Sequence, residues 1–190
     1  AKTGVALPGE TAGELRPLTD MSRVALAASS YGYGIAVSAL QVVGAYSAIA
    51  NGGTLYEPRL LLENAKPVRV RRIASAKTME RLSRMLESVV ERGTGDTARI
   101  SGYRIAGKTG TSRKIDPLTK KYSSTQYNAS FAGFFPASNP RWTILVVIED
   151  PQGSYYGAQV AAPAFAAIGR QLLALKGIAP DKASTVAIAH

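Results

Sequence analysis

The chain has 190 residues, no cysteine, one histidine and a formal net charge of +10, with 46% hydrophobic and 19% charged residues. This is a globular composition with room for one sizeable core, and the absence of cysteine excludes disulfides, thiolate metal sites and cysteine nucleophiles. The lone histidine, His190, is the last residue, so neither a Ser-His-Asp triad nor a multi-histidine metal site can be assembled, and proton transfer falls to lysine, carboxylate or tyrosine.

The chain opens on Ala1-Lys2-Thr3-Gly4, without a methionine or a secretory h-region, which points to a cleaved or trimmed piece. No apolar run approaches the length of a membrane span. Residues 1–20, rich in Gly, Pro and Thr, read as a loop or extended lead-in, and residues 29–34 (SSYGYG) as a turn-prone patch. Residues 38–51 predict a helix with Leu40, Val43, Ala48 and Ile49 among its apolar positions, ended by Gly52-Gly53. Residues 55–62 predict a short extended piece around Pro58.

Ser75 is placed to cap a second helix whose apolar stripe is Met79, Leu82, Leu86 and Val89, with Gly93 and Gly95 stopping it. Three strands follow, over 103–109, 128–135 and 143–148. The last, TILVVI, has the continuous apolar character of a strand buried on both faces. Only residues 136–140 separate the second and third strands, too few for a parallel crossover, so they should pair as an antiparallel hairpin. A final helix opens with Pro163 in its first turn, carries Phe165, Ile168, Leu172 and Leu175 as its stripe, and closes at Gly177. Residues 180–190 read as a tail. Basic clusters at 66–72 (KPVRVRR) and 113–121 (RKIDPLTKK) lack the aromatic interleaving of nucleic-acid modules, so they read as a solvated face and no nucleic-acid partner is expected.

The stretch GYRIAGKTGTS, residues 102–112, supports two chemistries. As Gly102, four residues, then Gly107-Lys108-Thr109, it matches the P-loop string of a nucleotide hydrolase. A P-loop needs a wrapping loop before the lysine and a helix starting at it, to aim backbone N–H groups at phosphate. Here Tyr103, Arg104, Ile105 and Ala106 have strand character, a glycine and a proline follow the lysine, and no helix separates the first two strands. Glu149 and Asp150, after the apolar strand, resemble an Mg²⁺-holding acid pair but read as strand-end residues, and no metal or cofactor site is expected. As Lys108-Thr109-Gly110 the stretch matches a short signature of penicillin-recognising enzymes. That signature needs a strand beside a cleft, a lysine projecting charge into it, and a glycine leaving room for substrate against the backbone.

The wider sequence resembles the C-terminal half of the transpeptidase domain of class B penicillin-binding proteins, especially the division-type, FtsI-like group. The segments carrying the resemblance are SYGYGIAVSALQ (30–41), AYSAIANGG (45–53), GYRIAGKTGTS (102–112), FAGFFPAS (131–138), VVIEDP (146–151) and YYGAQVAAPAFAAI (155–168). The resemblance implies a penicillin-recognising α/β fold of the α+β type, an antiparallel sheet flanked by helices, with residues 1–190 forming the C-terminal portion of a single domain. It also implies acyl-enzyme cross-linking of D-Ala-D-Ala stem peptides in septal cell-wall synthesis, inhibition by β-lactams, divisome partners, and a membrane-anchored enzyme on the periplasmic face. By resemblance, Lys108 assists proton movement and electrostatics, and the backbone N–H of Thr111 is one oxyanion donor. The hydroxyls of Thr109 and Thr111 hold the substrate carboxylate beside Gly110. Arg113 adds positive charge from the following loop, or is a solvated loop arginine. Tyr122, in that loop, and Tyr155-Tyr156 wall the pocket, or pack at the surface; Tyr31 and Tyr33 read as structural.

One departure stands out. The family uses Ser-x-x-Lys, Ser-x-Asn and Lys-Thr/Ser-Gly. No serine here has Lys three residues on or Asn two residues on. The nucleophilic serine is therefore expected in the N-terminal remainder of the same enzyme. The alternative is a degenerate, catalytically inactive module that grips peptidoglycan or a division partner.

Overall fold

The computed structural model describes residues 1–5, 7–15, 17–61 and 66–182. Its centre is a three-stranded antiparallel sheet with helices on both faces, accompanied by two small two-stranded antiparallel sheets. In chain order the elements are β1 (Glu14–Leu15), α1 (Arg23–Ser29), β2 (Ile35–Ala36), α2 (Ala39–Ala50), β3 (Thr54–Tyr56), β4 (Arg69–Arg72), α3 (Ala76–Arg92), β5 (Ala106–Ile115), β6 (Tyr122–Phe135), β7 (Trp142–Glu149) and α4 (Gly157–Leu175). The mixed helix-and-antiparallel-sheet class is the one expected, and β6 and β7 form the predicted hairpin, with Phe135 opposite Trp142 and Asn128 opposite Glu149.

A serine opens each of α2 and α3, Ser75 as expected and Ser38 in addition, because its side chain can satisfy an otherwise orphaned N–H of the first helical turn. Ser38 makes a full capping box: its hydroxyl accepts from the Gln41 N–H and its own N–H donates to Gln41 Oε1. Ser75 accepts from the Thr78 N–H at the start of α3. Gly52 and Gly53 end α2 with φ of 83° and 110°, conformations that cost a glycine nothing. The stripe of α3 is Met79, Leu86 and Val90 rather than one ending at Val89, a one-residue rotation that places Val90 in the main core.

That core lies between the sheet and α4. Phe131 and Phe135 of β6 meet Phe165 of α4 at centroid distances of 4.7 and 5.4 Å, and Ile105, Val90 and Leu173 close around them, all fully buried. Each such side chain contributes roughly 1.5–3 kcal/mol on burial. A second cluster on the opposite face joins Ala106, Phe134 and Leu86 with Tyr46 and Ile49 of α2.

Several expectations are corrected. The lead-in contains β1, paired with β2, and a turn of 3-10 helix at Leu18–Asp20; α1 was not foreseen. The extended piece shortens to β3 and pairs with β4, inside the basic run 66–72, whose four strand residues are all exposed; Leu62 lies outside the described residues. The first core strand starts at Ala106 and runs six residues beyond Thr109, because pairing with β6 continues to Ile115. β7 is only half-buried: Ile144 and Val146 pack towards α4, while Val147 on the other face is 45% exposed.

Helix α4 begins six residues before Pro163, so the proline sits inside it, exposed. Its buried stripe is Gly157, Ala161, Ala162, Phe165, Ala166, Gly169 and Leu173, whereas Ile168 and Leu175 are exposed. Small residues let helix and sheet approach closely, which matters more here than the bulk of the apolar side chains. By length and composition alone α4 could cross a membrane, contrary to the sequence expectation, yet its buried stripe faces the sheet. The tail begins docked: Asp181 accepts from the Arg104 N–H, and Lys182 pairs with Glu91 at 2.9 Å. Residues 183–190, including His190, lie outside the described residues.

Candidate active site

Strand β5 carries the Lys-Thr-Gly motif as extended backbone, with Lys108 opposite Ala132, Thr109 opposite Phe131 and Gly110 opposite Ser130. Among the described residues β5 pairs only with β6, leaving its other edge open. No helix starts at Thr109, which removes the P-loop geometry. Glu149 and Asp150, its supposed metal-holding acids, instead pair with Lys114 at 3.3 and 2.9 Å, and these bonds, Asp150's first, raise the lysine's pKa.

Side chains alternate along a strand, so the motif presents two faces. Thr109, Thr111 and Arg113 share the face covered by α4, while Lys108 and Gly110 share the other. The Lys108 ammonium lies against its own strand, donating to Thr109 O and Thr109 Oγ1, each at 3.0 Å. Partial desolvation there lowers its pKa from the ordinary lysine value, although the residue is exposed. Thr109 Oγ1 also bonds Thr94 Oγ1 at 3.1 Å.

Thr111 joins the strand to α4. Its Oγ1 accepts from the Gly157 N–H at 3.1 Å, a cap for a helix whose own N-cap residue, Tyr156, offers none. The contact is close because position 157 has no side chain: a Cβ there would lie 2.5 Å from Gly110 O and closer still to Ser130 O. Gly110 is constrained less, since its Cβ would meet only the rotatable Ser130 Oγ rather than backbone.

The predicted aromatic wall divides. Tyr155 and Tyr156 pack together at 4.4 Å with their hydroxyls 3.1 Å apart, and this bond raises the Tyr155 pKa. Tyr155 stacks on Tyr127 at 4.2 Å and 15°, and the Arg113 guanidinium lies 6.0 Å from the Tyr127 ring centroid. Tyr122 is not in a loop: it is the first residue of β6, and its ring packs on Tyr33, which in turn meets Tyr31. Five residues of extended strand, roughly 17 Å, separate it from Tyr127. Tyr31 and Tyr33, read as structural, are exposed and pack on one another and, through Tyr33, on Tyr122. Arg113 likewise sits on β5, not in a loop.

Sequence reasoning missed Tyr127, Thr94 and Gly157. Tyr127 stands one residue before the predicted strand and in phase with Ala129 and Phe131, a signal that period-two alternation carried; the other two depend on tertiary contacts. Tyr127 and Tyr155 also border a depression of about 320 Å³ with Gln126, Asp150 and Ser154.

Residues 1–170 match the penicillin-binding protein transpeptidase domain model. The chain belongs to this transpeptidase domain family. It is 39% identical over 96% of its length to peptidoglycan D,D-transpeptidase FtsI of Escherichia coli, covering 31% of that protein. The apo transpeptidase domain of Burkholderia pseudomallei penicillin-binding protein 3 superposes with a TM-score of 0.85 at 38% identity, over 95% of this chain and 55% of that one. The Mycobacterium tuberculosis penicillin-binding protein 3 complexed with ampicillin superposes at 0.81 with 34% identity, over 97% and 45%. The chain thus spans about a third of the length of the curated relatives it matches. In this member of the family the Lys-Thr-Gly motif lies on an open-edged strand beside a helix start.

Proposed function

We propose that the chain is the Lys-Thr-Gly half of a serine-type peptidoglycan D,D-transpeptidase domain, one that cross-links stem peptides through an acyl-enzyme and is acylated by β-lactams. The observation carrying this reading is β5 itself: Lys108, Thr109, Gly110 and Thr111 in extended conformation on an open edge, with Thr111 tied to the start of α4. Supporting it are the family membership, a relative named as a D,D-transpeptidase and a structural neighbour complexed with ampicillin.

In this mechanism a serine from outside the chain attacks the penultimate D-Ala carbonyl, D-Ala leaves with the serine's proton, and an amine of a neighbouring stem peptide takes the acyl group and restores the serine. Lys108 supplies positive charge and helps move the proton, and its lowered pKa suits that exchange. The Thr111 N–H stabilises the oxyanion, an interaction worth about 3 kcal/mol of barrier. The hydroxyls of Thr109 and Thr111 and the Arg113 charge hold the terminal carboxylate. Tyr155 and Tyr156, with Tyr127, wall the substrate, while Tyr122 stands apart from them. A membrane anchor, a periplasmic setting, a septal role and divisome partners follow from the same family reading.

The test is fluorescent-penicillin labelling of the full-length protein. We expect rapid labelling, slowed on the order of a hundredfold by Lys108→Ala, and no labelling of residues 1–190 alone, which hold no Ser-x-x-Lys. Unchanged labelling of Lys108→Ala removes the lysine's role. A full-length protein that never labels supports the second reading, a non-catalytic peptidoglycan-binding module.

A further inference from the structure

We infer that Thr94, outside the motif, is a positioning residue that aims the Thr109 hydroxyl at the ligand's carboxylate; this rests on the transpeptidase reading above. The Lys108 ammonium has only donors, so at Thr109 Oγ1 it uses an acceptor site. The hydroxyl pair Thr94–Thr109, at 3.1 Å, admits either direction. When Thr109 donates to Thr94, its single O–H is consumed. When Thr94 donates, Thr109 Oγ1 accepts twice, from Lys108 and from Thr94, and its O–H is released to an incoming anion. The approach of a carboxylate selects the second arrangement, because a charge-assisted bond is about twice as strong as a neutral one.

Thr94 is built to serve as a fixed partner. It stands between Gly93 and Gly95, whose N–H groups both donate to Val89 O at 3.0 Å, folding the chain tightly over the end of α3. A Cβ on Gly93 would lie 2.9 Å from Val89 O, which leaves it no room, and one on Gly95 would press on the Phe131 ring at 3.3 Å. The turn therefore brings the Thr94 hydroxyl, on an exposed residue, to within 3.1 Å of Thr109 Oγ1 at the edge of β5.

The test compares wild type, Thr94→Val and Thr94→Ser in the full-length protein. The measurement is the second-order acylation rate with a β-lactam bearing its free carboxylate and with the methyl ester of the same compound. Thr94→Val should lower the carboxylate rate about tenfold and leave the ester rate unchanged, and Thr94→Ser should restore the wild-type rate. An equal fall for both compounds means a merely structural residue and overturns the inference, as does a Thr94→Val protein that matches wild type on the carboxylate. A wild-type protein that is not acylated at all overturns the transpeptidase reading, and this inference with it.

Discussion

At the scale of single residues, the motif strand works because hydrogen-bonding capacity is divided among neighbours. Lys108 donates twice to Thr109, Thr109 shares a hydroxyl–hydroxyl bond with Thr94, and Thr111 accepts from Gly157. The β5–β6 turn shows the same local logic. The Asp116 carboxylate accepts from the N–H groups of Thr119 and Leu118, and these bonds, the Thr119 one first, lower its pKa. A carboxylate depressed in the folded state contributes its stabilisation above the unfolded value, near 3.9, and loses it as pH falls through the lower folded value. Amide NMR resonances of Leu118 and Thr119 should therefore stay constant from neutral pH down to about 4 and move only in more acidic solution. A midpoint above that value would show that the turn bonds are not made.

At the scale of elements, the decisive contact is between β5 and the first turn of α4. Gly157 has carbonyl oxygens of Gly110 and Ser130 on either side of its missing side chain. Gly157→Ala should push α4 and the Tyr155–Tyr156 segment away from Thr111 and break the Thr111–Gly157 bond. We expect a loss of about 1–3 kcal/mol, as for other overpacked sites, read as a lowered Tm of the full-length protein together with slower penicillin labelling. A variant with wild-type Tm would mean that the carbonyls move aside at no cost. Legibility at this scale was uneven. Helices α2 and α3 were readable because their caps are local in sequence, Ser38 with Gln41 and Ser75 with Thr78. The start of α4 was not, because its cap comes from Thr111, 46 residues away, and the proline that looked like a helix start lies in its interior.

At the scale of the whole molecule, three phenylalanines join sheet and helix into one core. Phe165 meets both Phe131 and Phe135, with small residues of α4 around it. Phe165→Ala should cost about 3–5 kcal/mol, seen as a large drop in thermal or urea midpoint. A loss below 1 kcal/mol would mean that α4 is held by its ends rather than by this core.

The sequence by itself determined the family, the antiparallel class, the β6–β7 hairpin and the position of Lys108-Thr109-Gly110 on extended backbone. These follow from short-range facts: loop lengths, alternation, capping serines and motif strings. Only the tertiary structure decided how far β5 continues, which face of α4 is buried, and which tyrosines stand together. Strand length is set by a partner strand, a buried face by the shape it must meet, and an aromatic cluster by residues far apart in the chain. Tyr127 therefore joins Tyr155 and Arg113, while Tyr122, nearer to Arg113 in appearance as a loop residue, is carried off along β6 to Tyr33.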